Sequence, residues 1–541
     1  LLFSNIHGAR VNMDILEPKG SGFVGRHGKD FLLANDRWSQ IINLRYGPDG
    51  AVWVIDWYDK QQCHDVRPDV HDLSNGRIFR VAYKTPPVVK VDLRALGDKE
   101  LAELTLHRND WYVRHARKIF QERGVSAEAR ARLEEIAATH PDPTRILRAM
   151  WALHVAGAFP EARAIQAMAH ADPHVRAWAI QLAFEDRKAS PELLAKLAEM
   201  ARTDPSPVIR LYLASAAQRM TLEERAPIVE ALVAHAEDAD DHNLPLMDWY
   251  ALEPIVSADP KAGAAWIAKT KFPRVRGFIA RRIAQEGDGG VAAVVDALRN
   301  AGPGSQDDVL QGLRDALKGR RRVPMPQGWP EVKARLSGSE IVRHISITFG
   351  DPEALASLRA LLADANAEQS VRENALASLL AAGDPELLPV LMGLLEDRAV
   401  RRPVLRALGS FERSDIAARV IELYPKLDLE EKRDAIGALV LRKATAMALV
   451  EAIRADRIPK ADLTAASVRQ LRELNDAAGY YRERSLRLIG VCWGSGTCDD
   501  LACGAACCRR YRARRYPTLD SARISLQPSL PPGGQHCAHL G

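Results

Sequence analysis

The stretch that decides the fold is Asp172-Pro173-His174-Val175-Arg176-Ala177-Trp178-Ala179. An Asp-Pro pair comes first, an aliphatic residue and an arginine follow, and small or apolar residues continue the pattern. Asp accepts hydrogen bonds from the free N–H groups at a helix start, and Pro is tolerated in the first helical turn. The stretch therefore predicts the beginning of a helix that buries its small and aliphatic residues.

The same design recurs along the chain. Arg114, Arg145, Arg176 and Arg210 are separated by 31, 31 and 34 residues. Later arginines continue the series at single or double steps, and the full set is Arg114, Arg145, Arg176, Arg210, Arg276, Arg343, Arg372, Arg402 and Arg433. A period of this size is typical of a solenoid built from helix pairs.

Two interpretations of the recurring arginine stay open. In the structural one, each guanidinium binds a carboxylate or the helix-end carbonyls of the next repeat, and the arginines join the repeats as a ladder. In the functional one, the arginines form a row that grips an anionic partner, which requires all of them to lie on one open face. The sequence favours the ladder.

The repeats resemble HEAT repeats, in particular the short bacterial kind. Each helix pair buries Leu, Ala, Val and Ile against its neighbours, because neither pair could bury them alone. We therefore expect a mainly α protein with a HEAT-type α-solenoid over residues 91–475. Repeat arrays offer extended surfaces that suit recognition, so the expected role is a scaffold for a protein partner or for other domains of a parent chain.

Residues 1–90 follow a different pattern and predict a small β-module. Residues 41–46 and 51–57 are expected as two strands joined by a Gly-Pro-Asp-Gly turn, in which Pro sets φ and Gly supplies a positive φ. Residues 76–83 alternate as a third strand. The first forty residues are rich in Gly, Asn and Asp, which predicts loops and short strands. Because so small a module is hard to stabilise alone, it is expected to be the end of a larger β-structure.

Composition limits the partners of the chain. Apolar residues make up 47% of the 541 residues and charged residues 27%, the balance of a globular protein. The net charge of +5 is small for this length, so no nucleic-acid partner is predicted. No apolar run approaches the roughly 18 residues that a membrane span needs. The sequence begins at Leu1 with no recognisable signal peptide, and we expect a fragment of a longer gene product.

The last part of the chain, residues 476–541, is irregular and rich in Cys and Arg. Six of the seven cysteines follow residue 491. One hypothesis is a shifted reading frame near residues 475–490, which gives a disordered tail with excess Arg, Gly, Ala, Pro and Cys. The other is a small zinc or disulfide knot, for which the candidate zinc ligands are Cys503, Cys507, His536 and His539. The lack of any helical or strand period favours the first.

Several motifs of the β-module occur in the same order in a bacterial family named membrane-bound dehydrogenases, which this region resembles. The propellers of that family resemble those of glucose/sorbosone dehydrogenases, which bind pyrroloquinoline quinone (PQQ). Its larger members continue with HEAT repeats and a c-type cytochrome domain. The matching motifs are Asn5 to Asn12, Gly20 to Phe23, His27 to Leu32, Asp36 to Trp38, Gly47 to Gly50, Asp56-Trp57 and Gly76 to Arg80.

The resemblance implies that residues 1–90 are the C-terminal part of a β-propeller in an exported, periplasmic protein. It further implies a parent that oxidises a sugar or alcohol through PQQ and passes electrons to haem c. Only one or two propeller blades fit into this length, and no Cys-x-x-Cys-His haem motif occurs. We therefore expect no complete active site and no cofactor in this chain, and a scaffold role with the dehydrogenase as the alternative.

The candidates to face a ligand are five polar residues of the β-module: His7, Arg10, Asp56, Asp59 and His64. They are expected at strand ends or in loops, where propellers place functional residues, although such residues also serve to hold loops together. Cys63 and Asp65 flank His64, but their spacing fits no zinc pattern and a second cysteine is missing, so no metal site is predicted. The Gly20-Ser21-Gly22 segment lacks the helix and Lys of a phosphate loop.

Overall fold

The computed structural model of the chain describes residues 1–61, 71–72, 74–85, 88–320 and 323–474. These residues form a helical solenoid preceded by a small antiparallel β-module, so the expected mainly α fold is confirmed. They fall into two compact units. The first unit comprises Leu1–Phe411 and Leu427–Ala438, and the second comprises Glu412–Lys426 and continues from Leu439.

The β-module contains two antiparallel sheets. In the first sheet β2 pairs with β1, β3 and β4, and in the second β6 lies between β5 and β7. The strands are β1 Leu2–Asn5, β2 Arg10–Lys19, β3 Gly22–His27, β4 Leu32–Leu33, β5 Ile41–Tyr46, β6 Val52–Asp56 and β7 Arg77–Val81.

The predicted strand-turn-strand unit is confirmed. β5 and β6 pair in antiparallel register with Tyr46 opposite Val52. The turn closes through a hydrogen bond from the Gly47 amide to the Ala51 carbonyl (2.9 Å), and Gly50 adopts a φ of 79° that favours glycine. β7, the third expected strand, pairs with β6. The second sheet therefore forms where the sequence places it.

The first forty residues differ from the expected loops and short strands. β2 runs for ten residues and forms a long hairpin with β3, from Asp14 opposite His27 to Lys19 opposite Gly22. Gly20, with a φ of 56°, closes the hairpin. The Gly residues mark the turn of a hairpin and not an irregular region, and composition alone cannot separate the two.

The solenoid helices start as the Asp-Pro pattern predicts. Asp142, Asp172 and Asp351 each accept a hydrogen bond from an N–H group of the first turn, and a Pro follows each of them. The first twelve helices are α1 Asp98–Glu103, α2 Asp110–Arg123, α3 Ala127–Thr139, α4 Pro143–Val155, α5 Glu161–Ala167, α6 Pro173–Ala183, α7 Pro191–Thr203, α8 Pro207–Ala217, α9 Leu222–Leu232, α10 Leu244–Ala258, α11 Pro260–Gly263 and α12 Trp266–Lys269.

Thirteen further helices follow α12 in the described part of the chain. They are α13 Pro273–Ala284, α14 Asp288–Asn300, α15 Pro303–Leu317, α16 Trp329–Arg335, α17 Glu340–Thr348, α18 Pro352–Ala363, α19 Gln369–Ala382, α20 Leu387–Leu394, α21 Arg401–Leu408, α22 Ser414–Leu423, α23 Leu429–Leu439, α24 Lys443–Arg454 and α25 Ala465–Glu473.

Within the first unit the helices form two rows. In one row α2, α4, α6, α8, α10, α13, α15 and α17 each pack on the next, and in the other α7 packs on α9 and α14 on α16. Helices of the two rows also pack in pairs, such as α3 with α4 and α18 with α19. This arrangement is that of a HEAT-type solenoid, in which each repeat contacts only its neighbours.

The core follows the rows. One continuous cluster of buried apolar residues runs from Ile146 to Phe349, and a second covers the first repeats from Leu93 to Ala158. The β-module has a far smaller core, centred on Val11, Ile41 and Val54. In the second unit α22 packs on α24, and the Tyr424 hydroxyl donates to Asp462 (2.8 Å).

Candidate interaction surfaces of the solenoid and the β-module

Asp56 is a buried loop anchor at the end of β6. Its carboxylate accepts hydrogen bonds from the Ser39 hydroxyl (2.9 Å), the Gln40 amide (2.6 Å) and the Tyr58 amide (3.2 Å). Only 1% of the residue is exposed. The carboxylate oxygens are therefore used to hold the 38–41 and 57–59 segments together, although the side chain also borders a small cavity of about 200 Å³.

Asp59 plays the same part in the next loop. It is fully buried and accepts hydrogen bonds from the Lys60 amide (2.7 Å) and the Asp72 amide (2.8 Å), and His71 lies 3.1 Å away. Burial raises the pKa of Asp59, but the hydrogen bonds from Asp72, His71 and Lys60 outweigh it and lower the pKa to about 2. The carboxylate is thus ionised at neutral pH and satisfied by its own loop.

The other candidate residues of the module lie elsewhere. Arg10 is on β2 and forms an ion pair with Asp30 (3.0 Å), and His7 is exposed in the connection between β1 and β2. His64 lies outside the described residues. The described candidates are therefore distributed between two sheets, and they do not converge on one cavity.

Five of the nine periodic arginines reach a carboxylate of a following repeat. Arg176 binds Asp204 through two nitrogens (2.8 and 2.9 Å), and Arg210 binds Asp238 in the same bidentate way. The partners lie 25 to 32 residues downstream. The remaining three pairs are Arg276–Asp308, Arg372–Asp397 and Arg402–Asp434.

Four of these five arginines lie inside the array, whereas the side chain of the fifth, Arg402, is 43% exposed. The side chains of Arg210 and Arg372 are only 4% and 2% exposed, and both guanidinium groups also donate to backbone carbonyls. A bidentate, charge-assisted pair of this kind fixes both distance and orientation between two repeats. The guanidinium groups of these arginines are therefore occupied within the solenoid and do not present a common open face.

The other four periodic arginines make no such contact with the carboxylates that the structure describes. Arg145, Arg343 and Arg433 pair only with acids of their own helix start, three residues away. Arg114 is exposed on α2 beside the β-module. The period alone thus identifies the position but not the partner.

Sequence periodicity also missed arginines that couple repeats. Arg401, next to the predicted Arg402, is buried against Glu431 (3.1 Å), and Arg359 binds Asp384 (2.7 Å). Arg148 binds Asp110 of the preceding repeat (3.0 Å). Two adjacent arginines, such as Arg401 and Arg402, or two on one helix, such as Arg145 and Arg148, cannot be distinguished by spacing, and Arg359 lies outside the periodic series.

The β-module is attached to the first repeat through its 47–50 turn. The Asn109 side chain donates to the Gly47 carbonyl (2.9 Å), and the Tyr46 hydroxyl donates to Asp110 (3.1 Å). The Tyr112 hydroxyl donates to the Pro48 carbonyl (3.3 Å). The predicted turn therefore serves as a contact with the start of α2.

A second attachment lies at the tip of the β2–β3 hairpin. The Asp241 carboxylate, just before α10, accepts hydrogen bonds from the Ser21 amide (2.8 Å) and the Ser21 hydroxyl (2.6 Å). A Cβ on Gly20 would lie only 2.1 Å from the Asp241 side chain, so a larger residue here would displace this carboxylate. Nothing in the sequence signals a contact between residues 220 positions apart.

The module leaves much apolar surface uncovered. On the second sheet Ile55 of β6 lies opposite Ile78 of β7, and they are 46% and 70% exposed. Trp53, two residues before Ile55 and hence on the same face, is 39% exposed. A sheet face of this kind is normally covered by another layer.

The solenoid has a groove of about 940 Å³ where its second row is interrupted by the short helices α11 and α12. Small residues such as Ala264, Ala293 and Gly290 line it, and Asp259 and Asp296 also border it. The groove combines small apolar residues with carboxylates and holds no cluster of catalytic groups.

The described part of the chain offers no helix that is both long and apolar enough to cross a lipid bilayer. In the same residues, no three His, Cys, Asp or Glu side chains are grouped so that they could hold a metal ion. The 62–70 segment and the cysteine-rich tail lie outside the described residues, so the hypotheses about them stay predictions.

Comparison with known proteins adds a family match for the module. The profile of a family described as "Domain of unknown function (DUF7133)" matches residues 2–85. No curated protein matches the sequence. The family match does not test the resemblance to membrane-bound dehydrogenases, which stays a prediction.

Among solved structures the chain is similar to other helical solenoids. Kap121p has 12% identity and a TM-score of 0.39 over 73% of this chain and 49% of its own. Kap121p bound to RanGTP has 12% identity and a TM-score of 0.41 over 72% and 48%. An engineered protein has 18% identity and a TM-score of 0.25 over 73% and 100%. The chain thus spans about half the length of the Kap121p chains. The packing of the helices in two rows, and not these likenesses, defines the class of fold.

Proposed function

We propose that the chain is the scaffold region of a multidomain extracytoplasmic protein, in which a HEAT-type solenoid holds the end of a larger β-structure in position. The observation that carries this proposal is the distribution of exposed apolar side chains. Of the 25 large apolar side chains exposed among the described residues, 18 lie between Leu1 and Val88. Exposed apolar side chains that share one face, as Trp53, Ile55 and Ile78 do, mark an interface.

The proposed occupant of the exposed face is further β-structure of the parent protein. The face formed by Trp53, Ile55 and Ile78 lies across two paired strands, and a second sheet packs on such a face at a spacing of about 10 Å. The resemblance to the end of a β-propeller supports the same occupant, because propeller blades pack face to face around a ring.

The solenoid supplies the other half of the scaffold. The 47–50 turn and the β2–β3 hairpin tip bind repeats that are more than 120 residues apart along the chain, at Asn109 and Asp241. Two separated contacts resist rotation of a module better than one. The module is therefore held in a defined orientation on the array.

The alternative function concerns the parent protein. A quinone-dependent sugar or alcohol dehydrogenase would hold PQQ in a complete propeller and pass electrons to haem c. Among the described candidates, Asp56 and Asp59 are engaged by their own loops and Arg10 pairs with Asp30, which supports a chain that holds neither group itself. The sequence has no Cys-x-x-Cys-His. We therefore propose a non-catalytic role for this chain and assign any redox chemistry to other parts of the parent.

Sequencing of the gene on both sides of this coding region tests the proposal. We expect upstream codons, in the same frame, for further strands that complete the β-structure, together with an export signal. A start codon directly before Leu1 would contradict the proposal that this chain is the scaffold region of a larger protein. A haem motif restored downstream by a one-base correction near residue 480 would support the dehydrogenase parent.

A second test measures the apolar face in the protein itself. Ile78→Lys should lower the binding of an apolar fluorescent dye and leave the melting temperature nearly unchanged, since exposed substitutions usually shift stability by less than about 0.5 kcal/mol. Tyr250→Lys, on a 52% exposed side chain of α10, is the matched control. Equal dye binding by the two variants would show that the module face is not the main apolar surface.

A further inference from the structure

A basic cleft of about 610 Å³ opens where the β-module meets the first repeat. One side is the end of strand β5, which contributes Arg45. The other side is one face of helix α2, which contributes Arg114, Arg117 and Lys118. Four cationic side chains from two different elements therefore border one cavity.

Most of this charge has no carboxylate partner within the described part of the chain. No ion pair joins Arg45, Arg114 or Arg117 to any described carboxylate, and Lys118 reaches Glu122 only at 3.9 Å. Asp110, at the start of α2, is already engaged by Arg148 (3.0 Å) and by a tyrosine hydroxyl. By contrast, each of the five periodic arginines that join repeats binds a carboxylate.

The position of Arg117 makes the missing partner costly. Its side chain is half-buried, and its guanidinium lies 5.3 Å from the Trp151 ring. Burial lowers the pKa of Arg117, Asp110 opposes this shift, and Arg114 and Arg148 add to it. An arginine nevertheless stays protonated at neutral pH. A partly desolvated charge without a direct ion pair is unfavourable, and a bound anion would relieve it.

One wall of the cleft is aromatic. The rings of Trp111 and His115 stack at 4.0 Å with an angle of 25° between their planes, and both residues line the cavity. A cavity of this volume is in the range that accommodates a small molecule. The cleft thus combines a stacked aromatic pair with three arginine side chains.

We propose that this cleft binds a small organic anion that carries at least two oxyanion groups, such as phosphates, sulfates or carboxylates. The guanidinium groups of Arg45 and Arg117 bind the oxyanions from opposite sides, because the planar fork matches two oxygen atoms of each group. This site is separate from the scaffold role and does not depend on the further β-structure proposed above.

Isothermal titration calorimetry of the full chain with pyrophosphate and, separately, with citrate tests the site at low ionic strength. We expect saturable binding of at least one probe, and the preferred probe distinguishes a phosphate from a polycarboxylate ligand. Arg45→Gln and Arg117→Gln should each weaken binding about tenfold or more, as expected for loss of a charged hydrogen bond. Added salt should also weaken binding, because the cleft is open to solvent.

Arg281→Gln is the matched control, because Arg281 is exposed on α13 and has no ion pair among the described residues. It removes the same charge and should leave the affinity unchanged. If Arg117→Gln disturbs the packing on Trp151, Arg45→Gln decides the question, since Arg45 is exposed on the strand. Absence of saturable binding by both probes, or an equal loss in the control, would overturn the proposal.

Discussion

The β-module and the solenoid bury their apolar side chains to very different degrees. In the solenoid one buried cluster runs continuously from Ile146 to Phe349. The module centres its core on only three fully buried residues and exposes apolar side chains on both of its sheets. A helix pair covers its apolar side with the next pair, whereas a sheet has two faces and needs a second layer.

Polar contacts follow the same division. In the module Asp56 and Asp59 bind amides of their own loops, so their effect is local. In the solenoid the arginines Arg176, Arg210 and Arg276 bind carboxylates of the next repeat. The comparison indicates that the solenoid is stabilised between repeats and the module mainly by its attachment to them.

The largest effect is expected from the most buried ladder pair. Arg210→Met should destabilise the solenoid by about 3–5 kcal/mol, because it leaves the buried Asp238 carboxylate without its counter-ion. Arg343→Met is the control, since Arg343 is exposed and pairs only with its own helix at 3.7 Å, and should cost less than about 0.5 kcal/mol. Urea unfolding followed by circular dichroism gives both values. Equal losses would show that the ladder adds no coupling between repeats.

A stabilising change is expected at Asp248, which is 1% exposed and whose Oδ1 has no hydrogen-bond partner. Burial raises the pKa of Asp248 well above 3.8, and the nearby Asp238 adds to the rise while Arg210 opposes it. A carboxyl with a raised pKa in the folded state binds more protons there, so its cost grows as pH rises above the unfolded value near 4. Asp248→Asn should therefore stabilise the protein by about 1–3 kcal/mol at pH 8.

The gain from Asp248→Asn should shrink as pH falls toward the unfolded pKa near 4, because the unfolded carboxyl then also begins to bind a proton and the two states differ less in protonation. Asp307→Asn, an exposed position on α15, is the control and should change stability little at either pH. Unfolding curves at pH 8 and pH 4.5 measure the difference. A loss of stability at pH 8 in the Asp248 variant would refute this account of the buried carboxyl.

A smaller effect is expected at the hairpin tip that attaches the module. Gly20→Ala should cost about 1–2 kcal/mol more than Gly50→Ala in local stability. Both glycines have positive φ, 56° and 79°, but only the Cβ at position 20 meets the Asp241 side chain. Hydrogen exchange of β2 and β3 reports the change. Similar rates in the two variants would show that the tip does not hold the module.

Much of the fold could be predicted from the sequence, because it depends on short local patterns. The Asp-Pro start at Asp172 and the recurring arginine identify helix pairs, and the Gly-Pro-Asp-Gly turn identifies the β5–β6 hairpin. The β2–β3 hairpin was missed, since its Gly-Ser-Gly turn carries the same composition as a loop. Local chemistry thus predicts elements better than it predicts their lengths.

The contacts between distant residues could not be predicted. Ser21 and Asp241 are 220 residues apart, and no spacing connects them. The cleft formed by Arg45 and Arg117 needs the module docked on α2 before the two charges share one cavity. The candidate ligand residues of the module do not share one site either. Arg10 belongs to the first sheet and Asp56 to the second, and the sequence does not show that the strands divide in this way.

The most direct test of the comparison is native-state hydrogen exchange of the whole chain, resolved by peptide. The account predicts that amides of β5, β6 and β7 exchange through local opening, faster by about two orders of magnitude or more than those of α8 and α13. This result would show a self-supporting solenoid and a module that depends on attachment and on a missing layer. Equal protection of the strands and of the central helices would contradict the account, because the module would then be as stable as the array that carries it.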